Sequence, residues 1–166
     1  LTGRPRKEFH EYIVASPGGS HISHAEYRKE PATAFLRYVV EAKSSVDLCL
    51  RKFKANNAYS TDAVDSIRHI GVAMLPAIMG HFETYQRYLF AGAFENSIYL
   101  DSFNIDGFFK KIEKYSGISI DLVRLSAYRG GESGFSAGII IADSLSGWHS
   151  PDKVNKYFGA FGLPVQ

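Results

Sequence analysis

A chain of 166 residues, 45% hydrophobic and 22% charged, can bury a sizeable core and falls in the single-domain range of roughly 100–200 residues. Nineteen Lys and Arg against 17 Asp and Glu give a formal charge of +2, which excludes the strongly basic footprint of a dedicated nucleic-acid binder and leaves only a local basic patch open. The one cysteine, Cys49, excludes an internal disulfide and a CxxC metal pair, and no run reaches the 18 or so apolar residues of a membrane span.

A reducing, cytoplasmic setting without membrane insertion is therefore expected. Arg4-Pro5-Arg6-Lys7 leads into polar residues rather than a signal-peptide core. The chain begins Leu1-Thr2-Gly3, without an initiator methionine, which leaves a longer parent protein open.

Residues 1–30 read as an irregular N-terminal arm, with Tyr12-Ile13-Val14 as an apolar island before the loop chemistry of Ser16-Pro17-Gly18-Gly19-Ser20. From Pro31 onward, residues 31–166 read as a single helical domain. Phe35, Val39, Ala42, Val46, Cys49 and Phe53 recur at four- and three-residue steps, predicting a packed helix over about 32–55 with a buried, protonated Cys49. Asn56-Asn57 ends it, and Ser60-Thr61-Asp62 caps the next.

That next helix is the longest apolar run, from Asp62 to about Glu95. Its seam is Ile67, Ile70, Met74, Ile78, His81, Tyr85 and Tyr88; Val72, Leu75, Met79, Phe82 and Leu89 form a neighbouring stripe. Between 70 and 82 it is apolar on most sides, which predicts burial by neighbours on several faces and a central place in the bundle. Pro76 has no N–H and its ring crowds the carbonyl four residues back, so a kink near 72–76 or a break into two helices is expected.

Asn104 is placed to cap a helix carrying Phe108, Phe109, Ile112 and Tyr115 that Gly117 stops. Ser119 is placed to cap another with Leu122, Val123 and Leu125, ending at Gly130-Gly131. Residues 135–145 are helix or strand by period, and flanking Ala137, Ala142 and Ser144 favour helix. The last helix has Ser150 as cap, Pro151 at its first position, Asp152 in its first turn and Gly162 as its stop. The fold class is thus all-α: an up-and-down bundle of about five to six helices around a central, Pro-kinked helix.

Candidate chemistry is sparse. Gly134-Phe135-Ser136-Ala137-Gly138 matches the G-x-S-x-G nucleophile pattern, but that elbow needs a buried strand before it, and Arg129-Gly130-Gly131-Glu132-Ser133 stands there instead. The same glycine-rich turn, opening a helix with Arg124 and Arg129 close by, offers free backbone N–H groups to an anion, or is an ordinary capping turn. His21, His24 and Glu26 are three ligand types in a Gly/Ser loop without identifiable supporting partners, so no metal is assigned. His81 lies on the apolar seam and reads as a hydrogen-bonded core histidine. Basic residues gather at Arg4-Arg6-Lys7, Arg51-Lys52-Lys54 and Lys110-Lys111-Lys114, as solvated faces or as phosphate contacts.

Three segments together carry a family resemblance: His81-Phe82-Glu83-Thr84-Tyr85-Gln86-Arg87-Tyr88-Leu89-Phe90, then Phe108-Phe109-Lys110-Lys111-Ile112, then Trp148-His149-Ser150-Pro151-Asp152-Lys153-Val154-Asn155-Lys156-Tyr157-Phe158. Over residues 32–162 the chain resembles the HEPN superfamily, in particular bacterial HEPN domains of RNA processing and defence. The resemblance implies an up-and-down helical bundle, often a homodimer, that binds or cleaves RNA. Active members carry an Arg followed after four to six residues by a His on a late helix, and no such pair stands in a suitable helix here; Arg4 and His10 belong to the arm.

The expectation is therefore a non-catalytic or incomplete HEPN-like domain that binds RNA or a protein partner, with Arg87, Arg124, Arg129 and His149 as its anion contacts. No catalytic residue, metal or cofactor is assigned; an active form would be a metal-independent ribonuclease. The alternative is a protein-interaction or oligomerisation domain without a nucleic-acid role, its aromatic residues supplying interface anchors as well as core.

Overall fold

The structure, a computed structural model, describes residue 22 and residues 24–53, 61–120 and 136–162. Among these the chain is all-α: α1 (His24–Lys29), α2 (Pro31–Phe53), α3 (Thr61–Ser97), α4 (Ile105–Ser116), α5 (Ala137–Ser144) and α6 (Pro151–Gly159), with no strand. The expected helix carrying Leu122, Val123 and Leu125, the Asn56-Asn57 terminator and the His21 position lie outside the described residues. By its contacts the chain forms two compact units, 1–82 and 83–166.

In the first unit α1 ends at Lys29 because Glu30 precedes a proline, which disfavours helical geometry there; Pro31 then opens α2, where a missing N–H costs nothing. The arm expected over 1–30 is thus helical from His24 to Lys29, and Tyr27 is buried. The Tyr27 hydroxyl and His81 Nδ1 share a hydrogen bond of 2.8 Å, and the Tyr38 ring stacks on the same imidazole with centroids 3.6 Å apart. Phe35 meets Phe82 at 5.4 Å, so α1 and α2 both reach the same turn of α3. Arg37, on α2, lies 3.3 Å from Glu26 on α1 and 3.3 Å from Glu41. His81 is hydrogen-bonded as expected but half-buried rather than fully in the core, and two tyrosine rings flank it.

The second unit holds the densest packing. Phe90 and Phe94 of α3, Phe108, Phe109 and Ile112 of α4, Ile141 and Ala142 of α5, Leu145, Trp148, and Tyr157 of α6 form one apolar cluster. Local rules set its helices. Asn104 Oδ1 accepts from Gly107 N at 2.8 Å to start α4, and Gly117 at φ 71° closes it in the left-handed conformation that a side chain disfavours. Pro151 stands at the first position of α6, whose Ser150 cap position makes no side-chain hydrogen bond. That helix stops at Gly159, short of the expected Gly162. Trp148 Nε1 donates to Ala142 O at 3.1 Å and the Tyr157 hydroxyl donates to Ser146 O at 2.8 Å, so both large polar-tipped rings are satisfied inside the cluster.

Of the two outcomes expected at Pro76 the break into two helices is absent, and the enclosure expected for the same stretch is corrected. The helix runs unbroken through Pro76 for 37 residues. Pro76 and Val72 both lie on a water-facing side, where solvent can take the carbonyl that proline leaves without a partner. Nor is the 70–82 stretch enclosed: Val72 is 60%, Leu75 58%, Met79 44% and Ile70 39% exposed. The contacts from α1 and α2 fall on the seam side, where Ala63 is buried and Ile67, Met74 and Ile78 half-buried, and the neighbouring stripe faces solvent. The deeply buried part of α3 comes later, at Phe90, Ala91 and Phe94.

Candidate functional site

Two of the four expected anion contacts come together. Glu83 and Arg87 sit one helical turn apart on α3, and the turn between α5 and α6 delivers His149, whose Nδ1 lies 3.0 Å from Glu83 Oε1. Arg87 approaches Glu83 Oε2 at 3.8 Å and Asp143 Oδ1, at the end of α5, at 3.7 Å. Arg124 and Arg129 lie outside the described residues. Sequence reasoning misses Glu83 and Asp143; the Glu83-to-Arg87 spacing of four is a usable signal, whereas Asp143 reaches Arg87 only through the tertiary fold.

The charge balance of this cluster limits its chemistry. Two carboxylates flank one guanidinium, so with His149 neutral the group is net negative, and an incoming phosphate would compete with Asp143 and Glu83 for Arg87. Both Arg87 contacts are longer than a charge-assisted hydrogen bond, and Arg87 Nε, though buried, has no hydrogen-bond partner among the described residues. The His149 side chain is 66% exposed, leaving its imidazole open to solvent beyond the Glu83 contact.

The glycine-rich turn Gly130-Gly131-Glu132-Ser133-Gly134, expected as an anion site or an ordinary capping turn, lies outside the described residues, and the start of α5 that follows it is occupied by the chain itself. Glu95 Oε1 accepts from Gly138 N at 3.2 Å, and Ser136 Oγ accepts from Ile139 N at 3.4 Å. A carboxylate at a helix N-terminus satisfies the same free N–H groups and the same dipole that an external anion would use. Ser136 is thereby a helix cap. Gly138 has a packing reason as well: a Cβ there would lie 2.5 Å from Ala91 O, so only glycine lets α5 approach α3 so closely. Ser136 and Gly138, the fixed positions of the G-x-S-x-G match that are described, are thus accounted for without a nucleophile.

Among the described residues no group of three or more His, Cys, Asp or Glu is arranged to hold a metal ion. No described helix is long and apolar enough to cross a membrane.

The other candidate is apolar. On α3, Val72, Leu75 and Met79 follow one another at three- and four-residue steps, the spacing of a helix-packing seam, and stand in water. Soluble monomers rarely display contiguous apolar surface beyond a few hundred Å², and patches of this kind mark interaction sites. Compared with protein-family models, curated proteins and solved structures, the chain matches none.

Proposed function

We propose that this chain is a protein-interaction domain of HEPN-like helical type, and that the Val72–Leu75–Met79 stripe of α3 is where a partner seats. One observation carries the reading: three large apolar side chains at helix-seam spacing, each 44% or more exposed, on the longest helix of the chain. Covering them removes apolar area from water at about 25 cal/mol per Å², which is the driving term for helix docking. The three segments that carry the HEPN resemblance lie on α3, on α4 and from Trp148 into α6.

The test is contact in the cell. A photo-reactive side chain at position 79 is expected to cross-link to protein, and the adduct to vanish when Leu75→Glu is added with the helical circular dichroism unchanged. Cross-linking that yields no protein adduct would remove the reading.

A second reading, RNA binding, is favoured by the meeting of Arg87 and His149 on Glu83. Its weakness is the net negative balance of that cluster. Binding of single-stranded RNA that falls steeply with salt and is lost in Arg87→Ala would support it; affinity undetectable at low ionic strength would end it. Neither reading assigns a catalytic residue.

A further inference from the structure

Resting on the interaction reading above, we infer that Met79 is a site of reversible oxidation by peroxide, and that conversion of its thioether to the sulfoxide releases the partner from the α3 stripe. Val72 and Leu75, the other members of the stripe, are hydrocarbons that peroxide leaves intact. Met79 alone carries an atom there that can change its polarity without a change of sequence.

Position decides which methionine reacts. The chain has two, Met74 and Met79, and both lie on α3. Five residues of α-helix turn the second about 140° away from the first. Met74 lies on the side that α1 and α2 reach and is half-buried, whereas Met79 is 44% exposed. Oxidation of a thioether follows the access of oxidant to sulfur, so Met79 reacts first. Its surroundings keep it open: Leu75 and Pro76, one turn earlier on the helix, are both exposed. Helical side chains lean back over the preceding turn, which sets the Met79 side chain toward Leu75, within the apolar surface.

The chemistry balances with one peroxide. A sulfur lone pair attacks a peroxide oxygen, the O–O bond breaks and the sulfur–oxygen bond forms; the departing hydroxide takes the proton from the new oxygen and leaves as water. Sulfur is oxidised by two electrons and the peroxide is reduced by two. The product puts a polar oxygen where a weak acceptor stood, and an apolar partner laid over it leaves that oxygen without a donor. Thiol-driven reduction by a methionine sulfoxide reductase returns the thioether and releases water.

In purified chain treated with hydrogen peroxide and mapped by peptide mass, Met79 is expected to gain one oxygen ahead of Met74 and to lose it again with sulfoxide reductase and thiol. In cells, with the photo-reactive side chain moved to position 72, a pulse of peroxide before illumination should lower the protein adduct about tenfold. The adduct of Met79→Leu, similar in volume and without sulfur, should not fall. Met79→Gln, which holds a polar carbonyl there permanently, should give the low yield without peroxide.

Met74 converting as fast as Met79 overturns the site. So does an adduct that persists while sulfoxide accumulates at position 79, or one that falls equally in Met79→Leu, as oxidation of Met74 or of the half-buried Cys49 would produce. In each of these cases the interaction reading stands, because the adduct forms before peroxide is added. No adduct before peroxide removes both.

Discussion

Tyr27 makes the first unit sensitive to high pH. Burial, then the neighbouring Tyr38 and Glu26, push its phenol up from 10.0 to about 12. Between pH 10 and 12 the folded chain therefore holds a proton that the unfolded chain has released, so this group's contribution to stability is whole below pH 10 and lost as pH rises toward 12. Burial raises the Tyr157 phenol in the second unit as well, in the same direction. Denaturant midpoints should fall over that window in the wild type, fall less in Tyr27→Phe, and flatten further when Tyr157→Phe is added. At neutral pH, Tyr27→Phe loses the hydrogen bond to His81 and should cost about 1 kcal/mol, read by chemical denaturation. The histidine's place in an aromatic, hydrogen-bonded setting is legible from its position on the seam. Its partner is not, because Tyr27 lies 54 residues away on a six-residue helix too short for its period to be recognised.

At the scale of elements, α3 carries a proline through its interior without interruption. Proline there removes one backbone hydrogen bond and crowds the preceding turn, and a proline in a helix interior is disfavoured by about 3 kcal/mol relative to alanine. Because Pro76 is exposed, no packing opposes its replacement. Pro76→Ala is expected to raise stability by about 1–3 kcal/mol, measured as an upward shift of the denaturation midpoint with an unchanged slope. Helix ends are the most legible elements. Asn104, Gly117 and Pro151 act where short-range chemistry decides, within a few residues of the helix end they set, whereas Ser150, expected as a cap, makes no side-chain capping bond and Ser136 caps α5 where no cap is expected. Which face of α3 is covered depends on how many neighbours reach it, and periodicity carries no count of neighbours. A stripe of Val72, Leu75 and Met79 reads the same whether another helix of the chain, a second molecule or water lies against it. The Glu95 carboxylate on the start of α5 is hidden for a related reason: 43 residues separate acceptor and donor.

At the scale of the whole molecule the all-α class follows from composition and period, but the apolar weight of the sequence and the packed core do not coincide. The run from Val72 to Met79 is strongly apolar yet poorly covered, while the enclosed, largely aromatic cluster draws a few residues each from α3, α4 and α5 and Tyr157 from α6. That cluster contains the chain's one tryptophan, Trp148, 1% exposed and edge-on to Phe90 at 5.5 Å. Residues 1–82 contain none. Indole emission is therefore a label written into one unit alone, reporting on the surroundings of Trp148 without any introduced probe.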